Sequence, residues 1–241
     1  MYRRKDVESV NIFHQLTKKQ TIKNGYKSFP DAECARIWGT KYYGEWSSKY
    51  LMDAPERKRN SVGIVDRKPV ENYCGNVYEQ INTPIWHGTD FPGDQYKAMS
   101  VALYNTIQEA PRIPEPIVAY RLEDPRTANL LDTAWRQREA VMFRPYMSTS
   151  LLVDIVDRTG AAYGDRKALM QLYVPAGVAG IYVDAISKRE ECEVLLQKGQ
   201  YLRVLRRRRG VAVKRRYVKE TGKYVDVVKD IYECILLPNI T

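Results

Sequence analysis

Apolar residues in the first half of the chain recur at intervals of three and four, and from residue 117 onward at intervals of two. The first spacing lines one face of a helix and the second one face of a strand, so the pattern predicts helices first and strands later. Ser28-Phe29-Pro30-Asp31 has the form of a helix start, with Ser28 as the cap and an acid three residues on. Ala35, Trp38, Tyr42 and Trp46 then follow at helical spacing and form one packing face. Tyr78, Ile81 and Asn82 fall at i, i+3 and i+4, with Tyr73 about a turn and a half earlier. A polar Asn82 on that face needs a hydrogen-bond partner, and the face reads equally well as ordinary core or as a binding wall. Thr83 to Asp94, with two prolines and two glycines, predicts a loop, and Gln95 to Ile107 a further helix. Pro111, Pro114 and Pro116 end helix formation.

The alternating half predicts strands over residues 117–122, 144–151, 167–175, 180–183 and 201–205. A closing hairpin is expected from Arg215 to Val218 and from Tyr224 to Leu236, turning at Glu220-Thr221-Gly222-Lys223. Residues 189–199 also read as a strand, because the apolar run from Val194 ends at the turn signal Lys198-Gly199. On such a strand Glu191 and Glu193 project to one side, about 6.5–7 Å apart at their Cα atoms, and Cys192 and Val194 to the other. Two acids beside an apolar run repel each other and are costly to bury. The pair therefore marks either a solvated edge strand or a site that stabilises a cation and activates a nucleophile. Without β-α-β alternation, the order of elements predicts an α+β fold with a mostly antiparallel sheet.

Composition narrows this picture. With 241 residues, 44 % apolar and 28 % charged, the chain is long enough to bury a real core. Residues 1–28 are basic and polar and read as an arm or first helix, leaving 29–241 as the main domain. The charged segment from Glu56 to Asn60 reads as a solvated helix end or loop. The net charge of +10 points to an acidic partner: nucleic acid, an anionic membrane surface or an acidic protein. A basic run from Arg203 to Lys219 reads first as a solvated strand edge, and otherwise as a contact to acidic protein or RNA. Cys34, Cys74, Cys192 and Cys234 form no C-x-x-C pair, so neither a zinc site nor a disulfide framework is signalled. Two histidines, His14 and His87, are too few for most metal or triad chemistry. No Walker or G-x-G-x-x-G signature occurs, and no metal is expected. No stretch reaches about 18 apolar residues and no apolar leader follows Met1, so neither a membrane span nor a signal peptide is expected. That fits a protein working in a reducing cytosol, or one exported by a route that needs no such peptide.

Three motifs stand in order over some seventy residues: Tyr120-Arg121 ending a strand, Ser148-Thr149-Ser150, and Glu191-Cys192-Glu193. This order resembles the arginine-serine-glutamate group of mono-ADP-ribosyltransferases. It is most similar to the enzymatic components of binary toxins of the iota-toxin and vegetative insecticidal types. Those also carry a tryptophan-rich helix, as in Ile37-Trp38-Gly39 with Tyr43 and Trp46, and a Y-x4-Y-x3-N helix, as in Tyr73, Tyr78 and Asn82. The resemblance covers roughly residues 30–241. It departs from the pattern at Leu122, where members often have a second Arg, and in a longer loop after Ser150. The basic run has no counterpart.

The resemblance implies helices packed on a mixed, mostly antiparallel two-sheet β core, with NAD as substrate. It implies that Glu193 stabilises the oxocarbenium-like ribose formed when nicotinamide leaves, much as a carboxylate does in a glycosidase. Glu191 would orient and activate the acceptor. In the family an acid at that place goes with arginine acceptors, and Gln with asparagine. A guanidinium stays charged at neutral pH and needs a carboxylate to become nucleophilic. Arg121 would clamp the NAD phosphates with its planar fork of donors. Ser148 would hold the Glu193 side chain, and backbone groups at Leu122 would bind the nicotinamide amide. Tyr73, Tyr78 and Asn82 would line the opposite wall. The family's further aromatic and Arg map onto Tyr163, facing the target protein, and Arg166. The expected product is ADP-ribose on an arginine of a target protein (actin for the most similar toxins), inside a target or host cell. The alternatives are transfer to nucleic acid, or an inactive relative serving as a basic binding module.

Overall fold

A computed structural model describes residues 25–52, 69–157, 166–184, 186, 191–219 and 221–237. Most of the basic N-terminal arm, the charged segment around Glu56 to Asn60, and Tyr163 lie outside the described residues. Tyr26 and Lys27 already pack on the main body. The Tyr26 ring meets Tyr173 edge-on at 5.2 Å, and Lys27 N donates to the Pro116 carbonyl at 2.9 Å.

Among the described residues the first long helix, α1 (Ala32–Ser47), starts later than the Ser28 signal implied. Asp31 is its cap, its carboxylate accepting from Cys34 N at 2.8 Å. Trp38 is buried at the centre of an aromatic cluster with Phe29, Tyr42, Tyr43 and Tyr182. Gly39 lets this helix approach the sheet, since a Cβ there would lie 2.2 Å from the Tyr182 ring. After the short α2 (Pro69–Asn72), a π-helical turn spans Tyr73–Val77, and α3 (Tyr78–His87) follows across a kink at Gly75, φ −83° and ψ −113°. The loop expected from Thr83 to Asp94 begins only at Gly88, because Thr83 to His87 form the second half of α3. Pro84 is tolerated because the helix ends one turn later, where Gly88, at φ 66°, donates to the Pro84 carbonyl. Helix α4 (Asp94–Glu109) buries Met99, Ser100, Leu103 and Ile107.

Among the described residues eight strands follow: β1 (Ile117–Glu123), β2 (Ala140–Phe143), β3 (Met147–Ser150), β4 (Ala168–Val174), β5 (Gly180–Tyr182), β6 (Glu193–Leu196), β7 (Gln200–Val218) and β8 (Lys223–Leu236). One helix that the periodicity did not reveal, α5 (Pro125–Gln137), interrupts them after β1. Its signals are local: Asp124 caps Thr127 N at 2.7 Å and Pro125 occupies the first turn. The sheet order is β2-β7-β8-β4-β1-β3-β6-β5. Only β4 and β8 run parallel, so the α+β class and the mixed, mostly antiparallel sheet are as expected. In place of two separate sheets there is one continuous order with a narrow seam. Strands β1 and β3 meet at a single residue pair, Tyr120↔Ser150.

The closing hairpin is longer than expected, because β7 runs unbroken through the basic residues. Bulges near Leu205, Arg209-Gly210 and Val213 absorb register shifts that alternation does not signal.

Candidate active site

The seam between β1 and β3 opens into a cleft walled by sheet on one side and helix on the other. Its sheet wall carries Arg121, Leu122, Ser148, Ile155, Arg166, Glu191 and Glu193, and its helix wall Tyr73, Cys74, Tyr78 and Asn82. All the candidate residues that fall among the described ones therefore line one cleft. The reason is topological: β1, β3 and β6 are adjacent, so residues seventy positions apart in sequence become neighbours.

Glu193 is the first residue of β6 and is buried. Ser148 and Glu193 are diagonal neighbours on the β3–β6 ladder (Ser148↔Leu195, Ser150↔Glu193), and the Ser148 hydroxyl donates to Glu193 Oε1. The expectation that Glu191 sits with Glu193 on a continuous strand is corrected. Glu191 lies in a bend before β6, and Cys192 between them takes φ 49°. Two bonds hold that left-handed residue: Asp184 Oδ1 accepts from Cys192 N at 2.9 Å, and the Cys192 carbonyl accepts from Leu151 N at 3.1 Å. The Glu191 carbonyl is fixed in turn by the Ser150 hydroxyl at 2.7 Å. The S-T-S triplet thus supports both glutamates, Ser148 through a carboxylate and Ser150 through the backbone. Glu191 remains 7 % exposed.

Arg121 crosses the seam. One terminal nitrogen donates to the Ser148 carbonyl at 2.8 Å, and Nε lies 3.1 Å from a carboxylate oxygen of Glu123. Its guanidinium also sits 5.6 Å from the Phe143 ring centre. Burial works against the charge of Arg121, but Glu123 and other neighbours outweigh it and raise its pKa. Glu123 itself is 1 % exposed, and desolvation pushes its carboxyl up to about 7 in spite of Arg121. The sequence reading passed over Glu123, although period-two alternation puts it on the same face as Arg121. It passed over Cys74, Ile155 and Asp184 as well. None of these carries a motif, and only the fold brings them to the site. Arg166 donates to the Leu122 carbonyl at 3.0 Å, bracing the edge of β1 that lies past its one pair with β3.

On the helix wall, Asn82 finds the partner its position required. Its amide donates to the Tyr73 hydroxyl at 2.7 Å and accepts from Tyr146 N at 3.2 Å. It therefore acts as a brace between α3 and the approach to β3. Burial drives the pKa of the Tyr73 hydroxyl upward, so it stays a neutral donor or acceptor. Tyr78 is half-buried and its hydroxyl donates to Glu79 at 3.1 Å.

The sequence model of the ADP-ribosyltransferase exoenzymes matches residues 35–226, most of the chain and every cleft residue named above. The chain belongs to the ADP-ribosyltransferase exoenzyme family. No curated protein sequence matches it. Solved structures of this family share the fold at low identity. Plx2a, an ADP-ribosyltransferase toxin from Paenibacillus larvae, superposes with TM-score 0.62 and 18 % identity over 86 % of this chain and 97 % of its own. BECa, the ADP-ribosylating toxin of a binary enterotoxin of C. perfringens, solved with NADH, gives TM-score 0.61 and 19 % identity over 88 % of this chain and 50 % of its own. The C3 exoenzyme of Clostridium limosum gives TM-score 0.58 and 18 % identity over 90 % of this chain and all of its own. ADP-ribosyltransferases use NAD as the substrate that supplies the ADP-ribosyl group. Among the described residues, no helix is long and apolar enough to cross a membrane.

Proposed function

We infer that this exoenzyme is an NAD-dependent mono-ADP-ribosyltransferase whose acceptor is an arginine of a target protein, and that it acts as a toxin or effector in another cell. The observation that carries this reading is the pairing of two buried carboxylates with different supports. Glu193 is held by a serine hydroxyl, while the Glu191 carboxylate projects from a bend at the cleft. NAD supplies the ADP-ribosyl group, with nicotinamide as leaving group. Glu193 places negative charge where positive charge develops on the ribose, and the Ser148 hydroxyl keeps it from turning away. Arg121, anchored to Ser148 and Glu123, presents its remaining donors toward the phosphates. Glu191 binds the incoming guanidinium and draws off its charge, which supports arginine as acceptor. Tyr73, Tyr78 and Asn82 form the opposing wall. Tyr163 is proposed to face the target protein.

The test separates the two glutamates. Glu193→Gln should lower both NAD hydrolysis and transfer to agmatine by on the order of 10²–10³ or more. Glu191→Gln should lose agmatine transfer to a similar extent while keeping much of the hydrolysis, because water needs no guanidinium-binding carboxylate. Assaying both activities on one preparation decides the matter. Parallel loss of both in Glu191→Gln would refute the division of roles.

A further inference from the structure

Beyond residue 210, β7 and β8 leave the sheet. Strand β2 pairs with β7 only over residues 200–203, and β4 pairs with β8 only over residues 230–235. From Val211↔Lys229 to Val218↔Lys223 the two strands pair with each other alone. They form a ribbon about 24 Å long at 3.4 Å per residue. Residues 206–229 hold ten Lys and Arg against two Asp and Glu, a net +8 of the chain's +10. Near the body this charge is matched: Arg207 lies 2.8 Å from Asp132, and Arg208 lies 3.0 Å from Glu233. Toward the tip Arg216, Lys219 and Lys223 are exposed. Between them stand Tyr217 and Tyr224, their ring centres 5.2 Å apart and their planes tilted by 57°, yet 51 % and 71 % exposed, with Val225 and Val228 also exposed.

The root of the ribbon is built into the wall of the cleft. Val213 and Val227 pack against the cluster of Leu122, Ile155, Val156 and Leu169, of which Leu122 and Ile155 line the cleft. Lys214 binds Asp154 at 2.8 Å, and Lys229 donates to the carbonyl of Arg166 at 2.5 Å. Whatever docks on the ribbon is therefore tethered to the cleft wall that carries Leu122 and Ile155, within the ribbon's length of about 24 Å. Lys and Arg on free strands also discourage strand addition, but that task needs neither the excess of charge nor four exposed apolar side chains. Tyr and Arg are both enriched at protein interfaces, whereas phosphate contacts gain nothing from valines.

We propose that this ribbon docks an acidic surface of the acceptor protein and so presents its arginine to the cleft. The proposal rests on the transferase reading above and names the partner class for that site. The experiment compares wild type with Arg216→Glu/Lys219→Glu/Lys223→Glu and with Tyr217→Ser/Tyr224→Ser. NAD hydrolysis and agmatine transfer report the cleft alone and should be unchanged in both variants. Labelling of proteins in a nuclease-treated cell lysate should fall at least tenfold in the charge variant. Fluorescent poly-L-glutamate should bind wild type at low salt, release at high salt, and fail to bind the charge variant. Unchanged lysate labelling, or no binding of poly-L-glutamate, overturns the proposal. Preferential binding of duplex DNA or of phosphatidylserine vesicles by wild type would overturn it in favour of those surfaces. Absence of hydrolysis and agmatine transfer in wild type would instead refute the transferase reading, while poly-L-glutamate binding still decides the ribbon's preference for acidic polypeptide.

Discussion

Glu123 shows how much of the site is set by a residue that no motif contains. Its carboxyl, buried beside Arg121, titrates near 7 against an ordinary value of 4.5. A carboxyl whose folded pKa is raised holds its proton more tightly in the fold than in the unfolded chain. Its contribution is fully favourable below pH 4.5 and is lost as the pH rises through 7. Wild type should therefore lose on the order of 3 kcal/mol relative to Glu123→Gln between those limits. Urea melts of both proteins at pH 4.5 and 7.5 give the difference, and a constant gap would mean that Glu123 does not titrate there. Residues that carried family motifs were legible at this scale, and Arg121, Ser148, Glu191 and Glu193 all reach the cleft. What could not be read was their support. The left-handed turn at Cys192 depends on Asp184, which lies eight positions away and is brought to it only by folding.

Elements were legible where a single face decides their form. The spacing of Ala35 and Trp38 marked α1, and alternation marked β1 and β4. Elements whose stability comes from ends or neighbours were missed. Helix α5 is announced by its cap, and the second half of α3 survives its proline because Gly88 closes it. The contact of α1 with β5 gives a prediction at this scale. Gly39→Ala places a methyl group 2.2 Å from the Tyr182 ring, which packs in the aromatic cluster. Ala gains up to about 1 kcal/mol over Gly in helix propensity, but overpacking typically costs about 1–3 kcal/mol. The variant should have a lower urea midpoint than wild type, and pairing it with Tyr182→Leu should restore part of the loss. A midpoint equal to wild type in the single variant would show that α1 can shift without cost.

At the scale of the molecule the seam is the decisive feature. Arg121 stands on one side, Ser148 and Glu193 on the other, and one residue pair joins the strands that bear them. A substrate that touches both sides should tie them together. NAD at a hundred times its dissociation constant should add about 2.7 kcal/mol to stability. Hydrogen exchange should slow in β1 as well as in β3 and β6, and Arg121→Ala should abolish the gain in β1. Protection confined to β3 and β6 would mean that NAD does not bridge the seam. The α+β class was readable from the order of periodicities, but the continuity of the sheet was not, because pairing between distant strands leaves no mark on local spacing. The strand order also governs when the molecule can exist at all. Strand β8 lies between β7 and β4, yet it is the last of the eight to be synthesised. Every residue lining the cleft has been synthesised before β8 is made, but β4, which holds β1 and with it Arg121, still lacks its parallel neighbour. Pairings so distant in sequence close late and slowly. A cell that makes this protein is therefore exposed to a finished cleft only after translation has passed Leu236.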